Sequence, residues 1–176
     1  MQNVSHYDDV NPNEALLAMG DAVALWSVGD VTAAEVVRHA CDLLVAGYDG
    51  PALRMLAAVS LRHADDEMPD VLEAALAELS LPYYERGSRA GQVAALRALA
   101  ARVVAGTMSP SSLTAWAHSK IGHDRLPLAE RLVQLDDVYG CVEYSDTTDE
   151  DVDAEVVAEA RRIIQSPPPG DSPSMR

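Results

Sequence analysis

The sequence predicts an all-α protein: a single-domain orthogonal bundle, or a short array of helical hairpins, of about eight helices. Three observations predict it. Ala, Val and Leu dominate the 48% of apolar residues and Phe is absent, and Ala and Leu are the best helix formers among apolar side chains. Apolar positions recur at helical spacing, while the alternation that marks a strand never lasts beyond a few residues. Caps, Gly stops and Pro starts punctuate the pattern at regular intervals.

Each helix follows from that pattern. The first runs from about Pro12 to Val28 and carries Leu16, Val23 and Trp26 before Gly29. The second opens at Thr32 with Glu35 three residues on, a capping box in which each side chain satisfies the other's free backbone N–H. Val36, Val37, Ala40, Leu43 and Leu44 form its stripe, and Gly47 ends it. The third starts on Pro51, where the missing N–H costs nothing, and carries Leu53, Leu56 and Val59. The fourth is expected over about Pro69 to Leu79, preceded by a solvated loop of His63, Asp65, Asp66 and Glu67. After a break holding Pro82 and Gly87, a fifth covers about Arg89 to Ala105, and a sixth opens with Ser109 and Pro110. The seventh is expected from near Pro127, with Leu128, Leu132, Leu135 and Val138. Cys141 to Tyr144 is apolar enough to extend. The last helix opens at Thr148 with Asp151 three residues on, and its acids crowd the first turn as the helix dipole prefers. The turns at Gly47–Pro51 and Gly106–Pro110 echo each other, as a duplicated hairpin would.

Residues 1–11 read as a flexible tail, 12–165 as one helical domain, and 166–176, with four prolines, as a disordered end. A length of 176 residues fits one domain. With no apolar leader and no long apolar run, a cytoplasmic location and no membrane contact are expected. The formal charge is −15, which repels nucleic acid and favours basic partners. Two cysteines are too few for a disulfide framework. Cys41, in an apolar helical stretch, is expected to pack as a small hydrophobe.

No catalytic signature is present: no GxSxG elbow, no phosphate loop, no metal motif, so the sequence implies neither an enzyme nor a cofactor. The most site-like cluster is His118, His123 and Asp124, the residue types of a metal or acid–base centre. Its spacing is unfavourable, since ligands on one helix face want a separation of three or four positions and these histidines are five apart. The pair Asp136 and Asp137 points about 100° apart on a helix and cannot converge on one atom.

Charge segregation is the strongest pattern. Ten acids and no Lys or Arg lie between Asp136 and Glu159, whereas seven basic residues and two acids lie between Arg86 and Arg131. The acidic segment reads either as a docking face for a basic protein or as internal compensation of the basic helices. Its anchors as a docking face are Asp136, Asp137, Tyr139, Glu143, Tyr144, Asp146 and Asp149.

The stretch Leu113 to Tyr144, with Trp116-Ala117-His118, Ile121-Gly122-His123-Asp124 and Leu132 through Tyr139, resembles small helical proteins of high-GC actinobacteria. The use of twelve Arg to one Lys fits such genomes. Some of these proteins resemble immunity proteins of secreted toxins. The resemblance implies an immunity-like protein, and with the acidic C-terminal face the expectation is a non-catalytic, antitoxin-like protein that occludes a basic toxin; a homodimer is also allowed. It transfers no catalytic residue. The alternatives are a metal- or small-molecule-binding helical enzyme at His118, His123 and Asp124, and a structural adaptor with a symmetric apolar interface.

Overall fold

The computed structural model describes residues 11–142 and 146–167. Among them the secondary structure is entirely helical, in eight helices. The described helices gather into two compact units, divided after Arg86.

The first unit holds α1 (Pro12–Ser27), α2 (Ala33–Val45), α3 (Pro51–Ala57) and α4 (Ala64–Glu78). Its core gathers Met19, Val23 and Trp26 with Val36, Ala40 and Leu43, and with Leu53, Leu56, Met68, Leu72 and Leu76. Burying one such side chain contributes roughly 1.5–3 kcal/mol. The capping box forms as the sequence implies: Thr32 N–H donates to Glu35 Oε2 at 2.9 Å, and Glu35 N–H to Thr32 Oγ1 at 3.3 Å. The α3 start has no cap of its own at Gly50. Glu78, from the far end of α4, accepts from the N–H groups of Ala52 and Leu53, both at 3.0 Å. Gly50 makes room for that carboxylate, because a Cβ there would lie 2.9 Å from Glu78 Cδ.

Two expectations fail here. The fourth helix begins at Ala64, not near Pro69, and takes Asp65, Asp66 and Glu67 into its first turn. Buried Ala64 and Met68 extend the Leu72–Leu76 stripe backwards at four-residue spacing, and the acids suit the positive end of the dipole. Cys41 is exposed, with its Sγ 3.6 Å from the Ala57 carbonyl. It lies off the Val36–Ala40–Leu43 stripe that faces the core.

The second unit holds α5 (Arg89–Val104), α6 (Pro110–Lys120), α7 (Glu130–Tyr139) and α8 (Asp149–Gln165). α5 packs on α8, and α6 and α7 form a hairpin that also touches α8. Leu96, Leu113, Leu132, Leu135, Val156 and Ile163 are almost fully buried among them. A second capping box, Thr148 with Asp151, opens α8. α7 starts at Glu130 instead of near Pro127. Leu126 and Ala129 are buried, so the preceding residues form a tight turn, with Ala129 N–H bonded to the Leu126 carbonyl at 2.8 Å. Cys141, expected to start an extended piece, turns instead: its N–H donates to the Val138 carbonyl at 2.9 Å. Glu143 and Tyr144 lie outside the described residues. No helix among the described residues is long and apolar enough to cross a membrane.

Candidate functional site

The α6–α7 hairpin brings together side chains far apart in the chain. Trp116 and Ala117 are buried, which fixes α6 against the core and leaves His118 half-exposed at its last turn. The helix ends at Lys120, and just beyond its cap Gly122 takes a φ of +78°, the left-handed conformation glycine adopts without cost. That reversal carries His123 back beside His118, with ring centroids 5.2 Å apart in an edge-to-face arrangement. The five-residue spacing that counted against convergence applies to one continuous helix. These histidines lie on opposite sides of a helix stop.

α7 supplies the carboxylates. His118 Nδ1 is 2.8 Å from Asp136 Oδ2 and 3.8 Å from Asp137 Oδ1. His123 Nε2 is 3.2 Å from Asp137 Oδ2, and its Nδ1 is 3.5 Å from Glu130 Oε1. Against the expectation that the two aspartates cannot converge on one atom, both reach His118 Nδ1, because carboxylate side chains are long enough to offset the 100° between adjacent helical positions: Asp136 holds that nitrogen closely, while Asp137 sits between both rings. Glu130 in turn accepts the Asp124 backbone N–H at 2.8 Å. That hydrogen bond, against a smaller effect of burial, holds the Glu130 carboxyl below the usual carboxylate range.

Asp124, grouped with the histidines by sequence, enters through its backbone, in a left-handed conformation of φ +59°. Asp137 takes the place expected of it: His118, His123 and Asp137 each offer a ligand atom, all within 4.8 Å of one another. This is the one such group of three among the described residues. His63, Asp65, Asp66 and Glu67 do not form a second one. The sequence pairing missed Asp137 and Glu130. The only signal was that two short helices joined by a tight loop pack antiparallel, which brings the helices together without giving their register.

The residues named as docking anchors are divided. Asp136 and Asp137 face the histidines. The Tyr139 hydroxyl donates to Asp153, and burial together with that bond pushes the phenol well above its ordinary pKa. Asp146 and Asp149 are exposed; Glu143 and Tyr144 are not described. Elsewhere in the acidic segment, Glu155 pairs with Arg131 and Glu159 with Arg162, so part of its charge is compensated within the unit. No family model, no curated protein and no solved structure matches the chain.

Proposed function

We propose that the α6–α7 hairpin binds a borderline divalent metal ion of the zinc type, through His118, His123 and Asp137. The observation that carries this reading is the convergence of two imidazoles and one carboxylate to within 4.8 Å. Ligand atoms around a tetrahedral zinc stand roughly 3.3 Å apart at ordinary bond lengths, so closure on an ion needs only small side-chain movements. Imidazole donors select zinc, nickel, copper or iron over calcium and magnesium, which prefer all-oxygen sites. A carboxylate on one ring nitrogen orients a ligating histidine through the other, so with Asp136 on His118 Nδ1 the ring would have to offer Nε2 to the ion. Three protein ligands leave a fourth position for water or substrate, as in catalytic rather than structural zinc sites.

Calorimetric titration of chelator-treated protein with Zn²⁺ tests the reading. One ion binds per chain, and His123→Ala and Asp137→Asn each remove binding while the helical spectrum stays intact. Titration of the wild type without a saturable one-to-one event overturns it.

A second reading is docking of a basic protein, such as a toxin in an immunity pair, on the acidic surface. Its support is the exposure of Asp146, Asp149 and Glu150 ahead of and within the first turn of α8, with long-range attraction speeding encounter. Asp146→Lys with Asp149→Lys then slows association with such a partner and flattens its salt dependence. An unchanged rate overturns that reading.

A further inference from the structure

A cavity of about 210 Å³ opens in the second unit, away from the histidine cluster's own ligands. Arg89, Val93 and Arg97 line it from one face of α5, at successive four-residue steps. Leu126 and Leu128, from the α6–α7 loop, form an apolar wall, and Pro167 after α8 closes one side. The walls are therefore mostly hydrocarbon, and the polar groups are two guanidiniums.

Those guanidiniums are incompletely matched. Arg97 Nη2 donates to the carbonyls of Ser166 at 2.8 Å and Pro167 at 2.7 Å, which are neutral acceptors. Its Nε is buried with no hydrogen-bond partner among the described residues. Neither Arg89 nor Arg97 forms an ion pair among the described residues, although the chain carries 28 acids. A guanidinium without a counter-ion attracts a carboxylate, with which it forms charge-assisted hydrogen bonds. The surrounding sequence is the basic stretch, with seven Lys and Arg against two acids from Arg86 to Arg131, so the local field attracts an anion although the whole chain is acidic.

We infer that this cavity binds a small carboxylate with an apolar body, its carboxylate on Arg97 and Arg89 and its hydrocarbon against Val93, Leu126 and Leu128. The volume lies below the roughly 300–1,000 Å³ of sites for drug-sized ligands. A short-chain or single-ring acid fits that size. Phosphate alone would leave the apolar wall wet, and a neutral hydrocarbon would leave both guanidiniums without a counter-ion.

Benzoate is the probe, titrated into the full chain and followed on the methyl resonances of Val93, Leu126 and Leu128. Saturable shifts with a Kd of order 1 mM are expected for a ligand of this size. Benzamide, of the same shape but uncharged, binds at least about tenfold more weakly. Arg89→Gln lowers benzoate to the benzamide level, and Leu128→Trp, which fills the cavity, abolishes the shifts. Both positions are at the surface edge of the fold, so these variants remain folded even where loss of Arg97 would loosen the end of α8. Equal affinity for benzoate and benzamide, shifts that never saturate, or shifts untouched by Leu128→Trp would overturn the inference. So would binding that appears only after removal of the residues beyond Pro167, because the chain's own end would then be the occupant.

Discussion

The α3–α4 and α6–α7 hairpins each set an acid of the second helix against the first, and the two acids do different work. Glu78 meets the bare start of α3 and is consumed by two backbone N–H groups. Among the described residues Asp137 meets no backbone donor. It stands between two imidazoles, groups that also ligate metals. A carboxylate tied to a helix start holds the fold, whereas one tied only to titratable side chains is available for a ligand. The same residue class, in the same kind of hairpin, is structural in one unit and a candidate ligand in the other.

The largest effect that can break this comparison is on metal binding. Asp137→Asn is expected to weaken zinc by more than the roughly 10–100-fold typical of losing an outer partner of a ligand, whereas Glu78→Gln leaves zinc affinity unchanged. Competition with a chelating dye measures both. A shared loss, or none, removes the distinction. On stability the order reverses. Glu78→Ala strands two N–H groups at the α3 start and costs about 1–2 kcal/mol, as loss of a helix cap does. Asp137→Ala in metal-free protein costs no more than the few tenths typical of an exposed pair. Urea denaturation of the two variants decides between them.

Gly122→Ala sharpens the comparison without touching a ligand. A side chain at φ +78° strains the turn by about 1 kcal/mol, and relaxation swings His123 away from Asp137. Zinc affinity therefore falls although all three ligands remain. Tyr139→Phe, which removes the hydroxyl bonded to Asp153, costs about 0.5–1 kcal/mol. Because the folded phenol's pKa is raised, this bond's stabilisation is fully present below the unfolded value of about 10 and is lost as pH rises beyond it. The wild type therefore loses stability in alkali more steeply than the variant.

The smallest expected effect is at the acid end. Glu35 and Asp151 are held below their usual pKa, first by the backbone N–H groups of Thr32 and Thr148 and then by the threonine hydroxyls. Their contribution is present above the ordinary carboxylate pKa of about 4 and is lost as pH falls through the lowered folded values. Glu35→Gln and Asp151→Asn should flatten the stability profile below the ordinary carboxylate pKa of about 4, measured by thermal melts at successively lower pH.

How much was legible depends on how far apart the partners lie. Both capping boxes join residues three apart, and both form. The Gly47 and Gly106 stops, and the Pro51 and Pro110 starts, also hold, because they act on the backbone of their own turn. The start of α4 was misplaced by five residues: Pro69 read as a helix start, while buried Ala64 and Met68 carry the stripe through it. Cys41 was misread because composition shows an apolar neighbourhood but not which side of the helix faces the core. The site was half legible. His118 and His123 were visible as a pair, yet Asp124 was chosen as their carboxylate because it was next in the chain.

The sequence by itself determined the helical class, the caps and the concentration of charge, since propensity, capping and composition are local properties. Only the tertiary structure decided the division into two units, Glu78 as the cap of α3, and Asp137 rather than Asp124 between the histidines. The physical reason is register. Helix periodicity states which face is buried, but the sliding position of one helix along its neighbour is set by side-chain packing across the hairpin, and that position determines which charges meet.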